Sequence, residues 1–179
     1  MRRLAIITAF AMVLGAVSVA AALAVTPGSY TPTSGSFNPA NAPGSSHLSS
    51  GTVQCVVNSA LDVNCSRYSL GGVGHTNADV TLSATYSGTI DCTNHGGNVV
   101  ETHTATFSAG GSTTLTSSRN GSLTVPSQSA SAGSAPQVCP NPNWTPSIRP
   151  GTLVLQTFDY TLTFAGFSSP YIEITASDP

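Results

Sequence analysis

An antiparallel, all-β sandwich of seven to nine strands with Greek-key connections is the fold predicted by this sequence, and three observations carry the prediction. From Gly51 onward apolar residues recur at every second position, no stretch there repeats at helical period, and turn signals built on Gly, Asn and Pro fall at regular intervals. Four cysteines, an even set, add a disulfide frame.

Arg2 and Arg3 precede an apolar run, Leu4 to Leu14, interrupted only by Thr8, that ends in small residues. A basic start, a short apolar stretch and the small-x-small triplet Ala22-Leu23-Ala24 read as a secretory signal peptide over residues 1–24, with cleavage before Val25. The mature chain of about 155 residues is long enough for one domain with its own core. It is expected to be extracellular, soluble and monomeric, with no membrane insertion once the leader is removed.

Residues 25–50 are rich in Pro, Gly, Ser and Asn and read as a linker or a weak first strand around Ser29 to Phe37. The sandwich domain is assigned to residues 51–179. Its clearest strand alternates Val80, Leu82, Ala84, Tyr86, Gly88, Ile90 and Cys92 with Thr81, Ser83, Thr85, Ser87, Thr89, Asp91 and Thr93, so one face is apolar and the other hydroxylated. Asn94-His95-Gly96-Gly97 reads as a hairpin turn into a strand from Asn98 to about Phe107. Its register has two solutions, one carrying Glu101 and His103 inward with Ala105 and Phe107, the other exposing them; a bulge near Thr104 would reconcile the two.

Gly110-Gly111 is expected to separate that strand from Thr113 to Ser117, and Asn120-Gly121 to make a hairpin into Ser122 to Val125, where Pro126 stops it. Ser127 to Gln137 is a low-complexity loop or frayed edge strand. Cys139 to Pro146, CPNPNWTP, should be extended and stiffened by its prolines. Thr152 to Phe164 and Tyr171 to Thr175 form a closing hairpin. Within its first strand Leu153 and Leu155 are out of phase with Phe158, Tyr160, Leu162 and Phe164, which requires either burial on both sides or a bulge near Gln156.

Charge is sparse. The net formal charge is −2 and the chain contains no lysine. Such a surface lacks the phosphate contacts that nucleic-acid binding needs, and anionic lipid would repel it. Missing lysine also excludes a P-loop, Schiff-base chemistry and an S-x-x-K nucleophile. No G-x-S-x-G or H-E-x-x-H occurs, so no catalytic residue and no cofactor is assigned.

Cys55, Cys65, Cys92 and Cys139 allow three pairings, of which Cys55–Cys65 with Cys92–Cys139 is favoured: a short local loop, and a tie from a strand end to the proline-rich segment. No C-x-x-C pair supports a zinc site. Asp91, His95, Glu101 and His103 flank one hairpin and have the chemistry of a metal set, but the two registers bring different members together, so no metal is assigned. Asp91 and Glu101 as a glycosidase pair is weaker still. Asn64, Asn120 and Asn143 are formal N-x-S/T matches.

Trp144, the single tryptophan, stands in the proline-rich segment beside Asn141 and Asn143. An aromatic platform flanked by amides suits sugar stacking and equally a protein hot spot; the bland alternative is a cap on the sandwich core. These three residues are the binding candidates.

The leader, the lysine-free Ala/Gly/Ser/Thr/Pro composition and the phrases GTIDCTNHGGNVVE, CPNPNWTP and YTLTFAGF resemble small exported proteins of high-GC actinobacteria, which implies secretion and no particular activity. QCVVNSALDVNCS, Gln54 to Ser66, is also similar to the first disulfide loop of the enediyne-chromophore apoproteins, which are secreted, lysine-poor, immunoglobulin-like sandwiches. The wide spacing of Cys92 and Cys139 departs from that family, so the likeness implies the fold and carries no site residue. The resulting expectation is a secreted, non-enzymatic binding module for a cell-wall glycan or an extracellular protein. A small-molecule carrier or protease inhibitor is the alternative, and an extracellular hydrolase the third.

Overall fold

The computed structural model describes residues 24–32 and 37–177. All but the last residue of the expected leader, and residues 33–36 of the weak first strand, lie outside the described residues. The chain forms twelve strands in three antiparallel sheets, with one turn of 3-10 helix at Pro39–Asn41 and no α-helix among the described residues. The strands are β1 (Gly28–Tyr30), β2 (His47–Gly51), β3 (Cys55–Val57), β4 (Val63–Cys65), β5 (Tyr68–Gly71), β6 (Ala78–Thr93), β7 (Val99–Leu115), β8 (Leu123–Val125), β9 (Gln128–Ala130), β10 (Thr145–Ile148), β11 (Val154–Phe164) and β12 (Ile172–Ser177). Seven to nine strands were too few. Half of the strands span only three or four residues before Gly72 or between Leu123 and Ala130, too short for alternation to declare them.

Strand β6 organises the largest sheet. Strand β7 pairs along its whole length on one edge, while β11 and then β10 share the other edge, and β12 lies beyond β11. Two smaller sheets, β1-β3-β4-β9 and β2-β5-β8, supply the remaining strands. Within residues 25–50, β1 pairs with β3, β2 pairs with β5, Phe37 bridges Ile172, and Val25 and Ala42 are buried in the core.

The apolar faces of all three sheets enclose one main core, built from side chains such as Val57, Leu70, Leu82, Tyr86, Leu123, Phe158 and Ile174. Polar tips inside it find partners, as burial demands. The hydroxyls of Tyr68 and Tyr160 meet at 3.0 Å across the core. Tyr86 directs its hydroxyl between the carbonyls of Leu61 and Ala130, at 3.1 and 3.2 Å, so one proton serves both. Tyr30 packs edge-on against Phe158.

Two expectations at β7 and β8 are corrected. The strand does not break at Gly110-Gly111 but runs through it, with Ser83 opposite Gly110 and Leu82 opposite Gly111. Gly110 adopts φ +125°, and a Cβ there would stand 2.0 Å from the Leu82 carbonyl oxygen. Glycine is therefore needed for close backbone approach rather than for a turn. Gly110→Ala is expected to destabilise the protein by at least about 2 kcal/mol through a clash and a disfavoured φ; an unchanged urea midpoint would contradict that. Asn120-Gly121 does make a tight turn, with Gly121 N–H donating to the Ser118 carbonyl at 3.0 Å. The strand after it, β8, crosses to β5 instead of folding back on β7. A turn signal reports local geometry and not the sheet that receives the next strand.

The register of β7 follows the inward solution. Cys92 faces Glu101 and Ile90 faces His103, so both polar residues share the face of Ala105 and Phe107. The bulge lies at Val100, between the Cys92–Glu101 and Thr93–Val99 pairs, and not near Thr104. Strand β11 has its bulge at Gln156, one of the two solutions open to its phase change.

On the opposite face of this sheet, hydroxyls dominate. The register aligns Ser108, Thr85, Thr157 and Ser177 in one cross-strand row, and Ser112, Thr81, Thr161 and Glu173 in another. None of these residues is buried.

Candidate functional site

The expected disulfides Cys55–Cys65 and Cys92–Cys139 are both present. With all four cysteines so bonded, none is left as a zinc ligand. Cys55–Cys65 joins residues directly opposite on β3 and β4. Cys92–Cys139 works at longer range, since it holds the segment leading to Trp144 against the distal end of β6. Ile90, Cys92, Ala105 and Cys139 are buried there, outside the main core. The distal end thus has a small apolar centre of its own.

Asn141 shapes the approach to Trp144. Its side-chain oxygen accepts a hydrogen bond from the Asn143 N–H at 3.0 Å, and its carbonyl accepts one from the Trp144 N–H at 3.0 Å. This is an Asx turn, a conformation that Asn and a following Pro favour. Asn141 is therefore committed to holding the loop, whereas Asn143 is exposed. Trp144 is half-buried and does not pack against the main core. Thr145 then pairs with Thr93, which faces Val99 on β7, so the backbone after Trp144 reaches the end of the sheet where Val99 and Val100 stand 52% and 45% exposed.

The same end carries an ion pair that the sequence did not disclose. Between Ile148 and Val154 the chain bows away from β6, five residues spanning the two positions Gly88 and Thr89. The Thr152 hydroxyl accepts from the Thr89 N–H at 3.0 Å and donates to the Arg149 carbonyl at 2.8 Å, closing the gap in the ladder. Arg149 is thereby placed over Asp91, with Nη2–Oδ1 at 2.7 Å and Nε–Oδ1 at 3.1 Å. The hydrogen bonds to this carboxylate, then its charge, raise the guanidinium above its ordinary range against a small opposing effect of burial. The signal that could have found this pair is the disulfide itself, since fixing Cys139 at Cys92 brings the next residues alongside β6.

The other titratable residues of this region do not converge. Asp91 lies on the hydroxylated face and Glu101 and His103 on the opposite one, while His95 sits in the exposed turn. His103 Nε2 is 3.2 Å from Glu101 Oε1, too poorly aligned for a hydrogen bond, and is itself shielded from solvent. Among the described residues, no group of three or more His, Cys, Asp and Glu could hold a metal ion. Asp91 and Glu101, on opposite faces, do not bracket a common substrate position either.

A shallow depression of about 380 Å³ opens between β6 and β7 on the hydroxylated face, lined by Thr81, Ser83, Ser108, Gly110 and Ser112 among others. No helix among the described residues is long and apolar enough to cross a membrane. No family model matches the chain, and neither a curated protein nor a solved structure is significantly similar to it.

Proposed function

We propose that this protein is a secreted, non-enzymatic binding module that engages an extracellular glycan or protein through the distal end of its largest sheet. The observation that carries the reading is Trp144, a large aromatic left partly exposed on a segment held by the Asn141 turn and Cys92–Cys139. A preorganised aromatic loses little entropy on binding, which is the usual advantage of a rigid recognition loop. Asn143 beside it offers an exposed amide. The basic-apolar leader and two disulfides support secretion. We read the three sheets as two layers of an immunoglobulin-like Greek-key sandwich, supported by the core held between their apolar faces.

Pull-down on insoluble cell-wall polysaccharide and on immobilised extracellular proteins, comparing wild type with Trp144→Ala, tests the reading. The variant is expected to lose at least tenfold in retention while its melting temperature changes by no more than a few degrees, because Trp144 lies outside the main core. Equal retention of both forms would remove Trp144 from the binding surface.

A further inference from the structure

We propose that two copies of this chain pair through the free edge of β7, antiparallel about a two-fold axis at Ser108, so that one sheet runs continuously across a homodimer. The inference does not rest on Trp144, and it replaces the monomer expected from the sequence. Thr89 donates its N–H to the Thr152 hydroxyl at 3.0 Å, and its carbonyl accepts from the Arg149 N–H at 2.8 Å, so both groups point away from β7. In an antiparallel ladder, opposed residues alternate between exchanging both backbone bonds and exchanging none. Thr104, opposite Thr89, therefore turns its N–H and C=O away from β6, as do the other even-numbered residues from Thr102 to Thr114. Among the described residues, no strand pairs with that side of β7 and no hydrogen bond reaches those groups.

The fold treats the two edges of this sheet differently. Strand β12, six residues long, is covered on its outer side: Phe37 bridges Ile172, and the Asn38 N–H donates to the Tyr171 carbonyl at 2.9 Å. Strand β7 has no such cover. It also lacks the usual devices that keep edges apart, since from Thr102 to Leu115 it holds no Lys, Arg, Asp, Glu or Pro and its register with β6 does not shift. At about 3.4 Å per residue, Thr102 to Thr114 is roughly 40 Å of bare edge. Unpaired backbone groups call for another extended strand, and the pattern of β7 is complementary to itself. With Ser108 on the axis, Thr102 pairs with Thr114 of the second copy, so every outward N–H and C=O between them meets its complement. Two-fold pairing also keeps the faces in phase. Phe107 and Ala109, both only partly buried at the margin of the core, then meet Ala109 and Phe107 of the second copy in close, non-hydrogen-bonded pairs. Glu101 falls opposite Leu115 of the second copy, so no like charges face each other across the joint.

Sedimentation equilibrium of the purified protein across the micromolar range tests the proposal, and wild type is expected to reach the mass of two chains. Thr106→Pro removes one outward N–H from each copy. Proline is tolerated on an edge strand where its nitrogen faces solvent, so the fold should survive; Thr104→Pro repeats the change one outward position away, and thermal melts identify whichever variant is intact. An intact proline variant should raise the dissociation constant at least about tenfold. The register is read separately with a short thiol cross-linker. Ser108→Cys brings equivalent residues to about 5.5 Å between Cα atoms across the axis and should be joined, whereas in Thr102→Cys they lie at opposite ends of the joint, roughly 40 Å apart, and should not. Wild type at the mass of one chain throughout overturns the proposal and leaves the edge to another protein or to solvent. Folded proline variants that associate as tightly as wild type overturn it as well, and so does cross-linking of Thr102→Cys in place of Ser108→Cys. Trp144→Ala should dimerise as wild type does; loss of the dimer there would place association at the distal end instead, so the two surfaces can fail separately.

Discussion

Replacing Cys92 and Cys139 together by alanine is expected to lower stability by about 4 kcal/mol, and the melting temperature by roughly 10–15 °C. The bond closes a loop of 47 residues in sequence separation, and the loop-entropy cost released to the unfolded chain grows with that length. Two further losses act in the native state. Both sulfurs belong to the small apolar centre under the distal end, and their removal leaves Ile90 with a thinner cover. Without the tie, the Trp144 segment is held to β6 by the four pairs of β10 and, beyond them, by the contacts of Arg149 with Asp91 and Thr89. The matching Cys55, Cys65 double alanine variant should cost less, about 3 kcal/mol, because its loop is short. Calorimetry on both variants decides the order; a smaller effect at Cys92–Cys139 than at Cys55–Cys65 would contradict it.

The second large effect concerns alkali. Burial raises the phenol of Tyr160 to about 12, against a small opposing contribution from its hydrogen bond with Tyr68. Burial, with a lesser contribution from the charge of Asp62, raises Tyr86 to about 12 as well. Tyr68, deepest in the core, is pushed higher still, first by burial and then by Tyr160. In the unfolded chain these phenols ionise near 10, so above that pH the unfolded state binds fewer protons than the folded state and stability falls. The contribution is fully present below pH 10 and is lost as pH rises through 10 toward 12 and beyond. Tyr68 and Tyr160 alone make this slope about 3 kcal/mol per pH unit, steep enough to exhaust a typical domain stability within a few units. Absorbance at 295 nm should therefore show buried tyrosines ionising together with loss of structure. Tyrosine ionisation complete near pH 10 in a still-folded protein would refute the buried pair.

What was legible in the sequence had local causes. The two-residue period of β6 announced both its faces, the phase change around Leu155 narrowed the choice to burial on both sides or the bulge observed at Gln156, and the cysteine spacing favoured the pairing observed. What was not legible depended on which strand meets which. Gly110 looked like a turn residue because nothing local distinguishes a turn from a glycine passing close to Leu82. Strand β8 belongs with β5 for reasons of long-range pairing, and the three-residue strands of the smaller sheets carry too little pattern to be seen. At the distal end the aromatic and its amides were identifiable by composition, yet the division of labour between Asn141, which holds the turn, and Asn143, which is free, needed hydrogen-bond geometry. Asp91 and Arg149 are 58 residues apart and meet only because β10 and β11 ride on the same edge of β6.

The five-residue bow between Ile148 and Val154 separates the register of β10 from that of β11. Because the slack is taken up there, a longer or shorter segment between Cys139 and Arg149 need not shift a single pair in β11 or β12. The distal end is in this sense an exchangeable cassette on a fixed platform. New sequences grafted between Cys139 and β10 would inherit an anchored start, a paired finish and a β11-β12 register indifferent to what lies between.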